Sequence, residues 1–133
     1  MKISEEEVAF VSEQESLEKG VSFIRDNSDI KILFVTLGNK GSIAYYKDEK
    51  IYCGGIHQEH VVDTTGAGDT FCGAVLSRIL ELGTDALTEK DIREMLLFAN
   101  AAASIVVTRK GALCSMPEPE EIRAASSLID KVL

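Results

Sequence analysis

The residues best suited to chemistry lie together in His60-Val61-Val62-Asp63-Thr64-Thr65-Gly66-Ala67-Gly68-Asp69-Thr70-Phe71. A β-branched run enters a glycine-flanked turn, and an amphipathic pattern leaves it. Phe71, Val75 and Ile79 recur at helical spacing, with Cys72, Leu76 and Leu80 beside them. The turn is therefore expected to deliver a helix whose first amides belong to Gly66, Ala67, Gly68 and Asp69. Such amides have no partner inside a helix, and the macrodipole adds partial positive charge at that end. Two glycines remove the side chains that would keep a ligand off the backbone. The result is a small anion socket with one carboxylate, Asp69, at its edge. A socket meant only to hold phosphate gains nothing from a carboxylate, because like charges repel. The pairing makes sense if Asp69 takes a proton from a hydroxyl that attacks a phosphoryl group held by the amides. The competing reading makes Asp69 a helix N-cap and the glycines a tight turn. Two better-known glycine loops fit poorly. The next glycine is Gly73, too late for a dinucleotide fingerprint, and no Gly-Lys-Ser/Thr is present for a P-loop.

The flanking sequence indicates what positions this turn. Ser4-Glu5-Glu6-Glu7 has the spacing of a capping box, with Val8, Phe10 and Val11 following as an apolar patch. Leu17, Val21 and Ile24 mark a short surface helix ending near Asp26-Asn27. The near-continuous apolar run from Lys31 to Leu37 predicts a strand buried on both faces, of the kind found in parallel sheets. Gly38-Asn39-Lys40-Gly41 falls at its carboxyl end, where ligands bind in open α/β sheets, although the same residues suit a plain turn. Ser42 to Tyr46 and Lys50 to Cys53, joined by Lys47-Asp48-Glu49, predict a hairpin that is polar on one side and suits a sheet edge. His57 and His60 stand three residues apart, on opposite faces if extended, and lack a third ligand for a metal.

Gly83 is expected to close the helix that follows the socket, and Thr88 to cap the next one. That second helix turns Ile92, Met95, Leu96, Ala99, Ala102 and Ala103 inward, and its alanine run lets a neighbour approach closely. Arg109-Lys110-Gly111 leaves it, and Pro117-Glu118-Pro119 starts a last helix carrying Ile122, Leu128, Ile129 and Val132.

The residues themselves resemble a family. Asp63-Thr64-Thr65-Gly66-Ala67-Gly68-Asp69-Thr70-Phe71 resembles the C-terminal signature of the ribokinase-like (PfkB) carbohydrate kinases. Thr36-Leu37-Gly38-Asn39-Lys40-Gly41 resembles the nucleotide-binding strand end and loop of that family. Ala99-Asn100-Ala101-Ala102-Ala103 through Val107-Thr108-Arg109-Lys110-Gly111-Ala112 resembles its segment beside the adenine and a monovalent cation. The three stretches occur in the family's order, and together they span essentially the whole chain but only the C-terminal part of a family member.

The resemblance implies a ribokinase-like three-layer α/β/α fold of which residues 1–133 form the C-terminal, nucleotide-binding part. That part would contain a mostly parallel sheet, a hairpin at its edge and about four helices. The implied activity is ATP-dependent phosphorylation of a sugar primary hydroxyl. ATP would lie along Thr36, Leu37, Gly38, Asn39, Lys40 and Gly41, with Asn100 and Ala103 beside its base. Its terminal phosphate would sit over Gly66, Ala67 and Gly68, and Asp69 would meet the sugar hydroxyl as base. Glu7 would hold magnesium through water, with Ser4 standing where the family usually has Asn. A potassium-type cation would be held by Asp63 and Thr65, by carbonyls near Val106, Arg109 and Gly111, and by Ser115. Most sugar contacts and the lid belong to the family's N-terminal part, so this chain alone is expected to be inactive, needing that part or self-association. Lys2 to Glu7 looks most like fructokinases and Asn100 to Gly111 as much like ribokinases; the reading leans to fructokinase. Two readings from other classes stand beside it: a non-catalytic nucleotide-binding module or remnant, and an interaction domain with a fortuitous turn.

Composition agrees with a small-molecule site. A net charge of −8 and 6% aromatic residues, with no Trp, argue against nucleic acid and acidic membranes as partners. No apolar run approaches the roughly 20 residues of a membrane span. The first residues are acidic and lack the apolar core of a signal peptide. Cys53, Cys72 and Cys114 form no metal pattern and read as thiols of a cytoplasmic protein.

Overall fold

The computed structural model describes residues 1–111 and 113–129. Expectations placed on Ala112 and Val132, and on the side chains of Leu128 and Ile129, lie outside the described residues. In chain order the elements are β1 (Lys2–Ser4), α1 (Glu5–Ser12), α2 (Leu17–Asp26), β2 (Ile32–Thr36), β3 (Gly41–Tyr46), β4 (Glu49–Gly54), α3 (Ala67–Leu82), α4 (Glu89–Val106) and α5 (Pro119–Ile129). Single 3₁₀ turns occupy Gly38–Lys40 and Leu113–Ser115.

The apolar run that forms β2 organises the layers. Ile32 and Phe34 join one core with α3, α4 and Ile122 of α5, while Leu33 and Val35 join another with Val8 of α1 and Val21 and Ile24 of α2. Successive strand residues point to opposite faces, so an unbroken apolar run requires cover on both. The three-layer α/β/α arrangement follows. The sheet order is β1-β2-β3-β4. β1 pairs with β2 in parallel, and the hairpin supplies two antiparallel pairings, β2 with β3 and β3 with β4.

Four local expectations need correction. All six residues of β3 are buried, because Ile43 and Tyr45 face α2 while Ala44 and Tyr46 face the other core; polar alternation is confined to β4. Phe10 and Val11 are exposed, and only Val8 of that apolar patch is buried. Leu76 and Leu80 are likewise exposed, at 52% and 86%, whereas Phe71, Ala74 and Val75 form the inward stripe of α3. Residues 55–66 contain no strand, so His57 and His60 lie on irregular chain.

Helix ends follow their sequence signals. Ser4 Oγ accepts from the Glu7 amide at 3.2 Å while Glu7 Oε2 accepts from the Ser4 amide at 2.7 Å, completing the capping box. Thr88 and Asp91 repeat this at α4. Gly83, at φ 76°, ends α3 by donating its amide to the Ile79 carbonyl at 2.7 Å. No helix among the described residues is long and apolar enough to cross a membrane.

Candidate active site

Helix α3 begins two residues before Asp69. Its N-cap is Gly66, at φ 85°, a left-handed conformation that costs other residues about 1–2 kcal/mol. No side chain caps this end, so the reading of Asp69 as an N-cap falls. The Ala67 amide donates to the Thr64 carbonyl at 3.3 Å within the turn. Among the described residues the amides of Gly66, Gly68 and Asp69 find no partner, which leaves the N-terminus of α3 open to an anion. The Asp69 carboxylate is exposed and makes no hydrogen bond or ion pair among the described residues. Gly68 serves by close approach instead of by an unusual φ: a Cβ placed there would stand 3.1 Å from the Lys2 ammonium nitrogen. β1 thus brings a cation over the socket.

This end of α3 forms one wall of a cleft of about 470 Å³. Thr36 at the end of β2, and Gly38, Asn39 and Gly41 beyond it, form a second wall. Asn100 and Ala103 of α4 form a third, and Lys2, Ser4 and Glu6 close the fourth side. The cleft sits at the carboxyl ends of the parallel pair β1 and β2, where open α/β sheets place ligands. The second wall is built by close backbone contact. The Leu37 amide donates to the Gly41 carbonyl at 2.8 Å, and the Lys40 carbonyl accepts from the Gly55 amide at 3.1 Å and the Tyr52 hydroxyl at 2.7 Å. Gly41 takes φ 109°, and a Cβ there would meet the backbone of Cys53 to Gly55.

Glu7 lies outside the lining, and Glu6 takes its place at the cleft. The Ser4 amide bonded to the Glu7 carboxylate, with the nearby Lys2 charge, holds its pKa below the usual glutamate range. The carboxylate is thus ionised but already engaged in the capping box.

The segments expected around a monovalent cation meet beside the cleft. Asp63 accepts from the Thr65 amide at 2.9 Å and the Gly111 amide at 3.4 Å. The Thr65 hydroxyl is the largest influence holding the Asp63 pKa low, followed by those amides and Lys110. The Val107 carbonyl accepts from the amides of Val62 and Asp63, docking this loop on the end of α4. The Ser115 hydroxyl donates to the Gly111 carbonyl, and the Arg109 amide donates to the Val106 carbonyl at 3.1 Å. The Arg109 guanidinium pairs with Glu121 and donates to the Ser115 carbonyl at 3.5 Å. No group of three or more His, Cys, Asp or Glu that could hold a metal occurs among the described residues. The donors here are oxygens, and carbonyls that already accept one bond keep a second lone pair.

The sequence pattern of the "pfkB family carbohydrate kinase" matches residues 1–119, nine-tenths of the chain. The chain belongs to the pfkB family. "Probable fructokinase-4" of Arabidopsis thaliana is 36% identical over 126 residues, covering 93% of this pfkB chain and 38% of that relative. A solved fructokinase from Vibrio cholerae O395, with fructose, ADP and calcium bound, superposes at a TM-score of 0.82 with 32% identity, covering 92% of this chain and 39% of that one. An Arabidopsis thaliana ribokinase complexed with ribose and ATP superposes at 0.77 with 33% identity, covering 94% and 39%. The fold is therefore part of the ribokinase-like architecture, and the chain spans under two-fifths of the length of these relatives.

Within this pfkB chain, the three motif stretches converge. Thr36, Gly38, Asn39, Gly41, Ala67, Gly68, Asn100 and Ala103 share one cleft, while Leu37 and Lys40 support its loop through backbone bonds. Gly66 shapes the turn, and Asp69 stands just outside the lining. Asp63, Thr65, Val106, Arg109, Gly111 and Ser115 gather in a separate loop cluster. Sequence reasoning missed Lys2 and Glu6, and the wall at His57, Gln58 and Val61. Lys2 carried a signal only in its place two residues before the capping box; the irregular wall carried none.

Proposed function

We propose that this chain is the nucleotide-binding, C-terminal part of an ATP-dependent sugar kinase, fructokinase-like in preference to ribokinase-like. The observation that carries the reading is the convergence of three separate motif stretches on one cleft with unpartnered amides and a lysine ammonium at one end. The nucleotide lies between the Thr36-to-Gly41 wall and the α4 wall of Asn100 and Ala103. Its terminal phosphate lies over Gly66, Ala67 and Gly68 and meets the unpartnered amides of Gly66 and Gly68, backbone donors that need no reorganisation as charge develops, while the Ala67 amide holds the turn through Thr64. Lys2 adds positive charge at the same place. Asp69 accepts the proton of a sugar primary hydroxyl held against it. Such transfer depends mainly on positioning and charge neutralisation.

Magnesium accompanying the nucleotide supplies further neutralisation of phosphate charge. It usually rides on substrate phosphates with one or two carboxylates, and Glu7, through water, is the residue proposed to steady it. A potassium-type cation suits the all-oxygen set of Asp63, Thr65, Val106, Arg109, Gly111 and Ser115. Fructose as substrate follows the fructokinase relatives. A complete sugar site requires the family's remaining part or a second copy: β1 pairs only with β2 among the described residues, and Phe10, Leu76 and Leu80 stand exposed. The second reading is a nucleotide-binding remnant that keeps the nucleotide walls of the cleft without turnover.

Calorimetric titration with ATP and with fructose, of the chain assembled with a complementary N-terminal part, separates these readings. Binding of both supports the kinase, binding of ATP alone supports the remnant, and binding of neither refutes both. By itself the chain is expected to associate in light scattering and to turn over no sugar. A monodisperse monomer that phosphorylates fructose or ribose at ordinary enzyme rates would contradict that expectation.

A further inference from the structure

Asn100 is a buried side chain, 7% exposed, on the α4 wall of the cleft. Its place invites a contact with a nucleobase, but both of its donor hydrogens are already engaged, and only the second lone pair of Oδ1 is left. The Nδ2 group donates to the carbonyls of Cys53 and Gly54, each at 3.2 Å. The Oδ1 atom accepts from the buried Ser42 hydroxyl at 2.9 Å. Two backbone carbonyls can only accept, so the NH₂ end must face them and the hydroxyl must donate to the oxygen. Both amide hydrogens are consumed, and none remains for the acceptor nitrogens of a base.

The three partners share one location. Ser42 and Cys53 are cross-strand partners, as are Gly41 and Gly54. One carboxamide therefore ties the start of β3 and the end of β4 to α4. The next residue, Gly55, donates its amide to the Lys40 carbonyl, and a Cβ on it would overlap the Asn39 carbonyl. A continuous path runs from α4 through Asn100, Cys53 and Gly54 to Gly55 and the Gly38–Lys40 turn. It joins the two walls between which the proposed nucleotide lies.

We infer that Asn100 is a positioning residue. It sets the distance between the α4 wall and the Gly38–Lys40 wall through the ends of β3 and β4, and it does not read the base. This rests on the nucleotide reading above. A carboxamide that touched the base would govern base preference, whereas one that sets the gap would govern affinity for every purine nucleotide alike.

The test uses the whole chain carrying Asn100→Asp, with Ser42→Ala as a milder second variant that removes only the donor to Oδ1. Amide hydrogen exchange is followed at Gly55, and calorimetry measures ATP and ITP, which differ at the purine 6-position. Asn100→Asp is expected to speed Gly55 exchange at least tenfold without any nucleotide, and Ser42→Ala several-fold. Both variants should weaken ATP and ITP by the same factor, leaving their ratio within twofold of the wild type. A collapse of the ATP-to-ITP ratio, or unchanged Gly55 exchange in both variants, would overturn the inference. Should Asn100→Asp fail to fold, Ser42→Ala decides on the same two readouts. Wild-type protein that binds neither nucleotide would overturn the functional reading, and Gly55 exchange would still decide whether Asn100 holds the turn.

Discussion

Alanine at Gly68 should raise stability and lower phosphate affinity at once. Gly68 lies in the first turn of α3 and has no positive φ, so alanine fits its backbone. Replacing a helical glycine by alanine gains up to about 1 kcal/mol in a helix interior, less near an end. The new Cβ would stand 3.1 Å from the Lys2 nitrogen, the far end of a flexible side chain that can move aside. The melting temperature should therefore hold or rise, by no more than about 4 °C at this chain length. Binding should move the other way. The methyl group and the displaced ammonium would both occupy the approach to the Gly68 and Asp69 amides. Losing one hydrogen bond to a charged phosphate costs about 1.5–3 kcal/mol, or roughly tenfold to a hundredfold in Kd. Gly66→Ala is the control, because at φ 85° the same change costs about 1–2 kcal/mol of folding stability. Thermal denaturation followed by circular dichroism, with calorimetry of ATP and adenosine, measures both quantities. Unchanged ATP affinity in Gly68→Ala would mean that the phosphates lie elsewhere. Destabilisation equal to that of Gly66→Ala would refute the assignment of separate roles to the two glycines.

In an assembly that restores turnover with a complementary N-terminal part, Asp69→Asn should remove about 10²–10⁴-fold of kcat and change nucleotide affinity only a few-fold; near-normal steady-state turnover would exclude Asp69 as base. Lys2→Met should weaken ATP several-fold while sparing adenosine, and calorimetry at rising salt should show the difference shrink as charges are screened. Asp63 is held below the ordinary aspartate value of 3.8, so its ionised form stabilises the folded chain above that pH and loses this effect as the pH falls through its lower folded value. Asp63→Asn should therefore lower stability to urea at pH 7, with the gap closing well below pH 3.8; a gap that widened in acid would contradict the sign.

Much of this was legible because local signals and global cover agreed. The apolar run at β2 demanded helices on both faces and has them, and the Ser4–Glu7 and Thr88–Asp91 spacings encode caps made by neighbouring residues. What escaped depends on partners distant in sequence. β1 is three residues long, too short to show a period, and exists as a strand only through its register with Phe34 to Thr36. Leu76 and Leu80 share helical spacing with the inward stripe of α3, and composition alone cannot tell that the core lies under Phe71, Ala74 and Val75 instead. The socket was readable from Gly66 to Asp69, but the lysine above it arrives from the other end of the chain. Asn100 stood out as a candidate, yet its bonds to Ser42, Cys53 and Gly54 join residues more than 40 positions away.

The central claim is that the open N-terminus of α3 receives the phosphates of a nucleotide lying along the cleft. It is tested most directly by titrating isotopically labelled protein with magnesium ATP, and separately with adenosine, while following amide resonances by NMR. ATP should shift Gly66, Gly68 and Asp69 together with Gly38, Asn39 and Ala103, and adenosine should shift the second group but not the first. Saturating ATP that leaves Gly66, Gly68 and Asp69 unmoved would contradict the account.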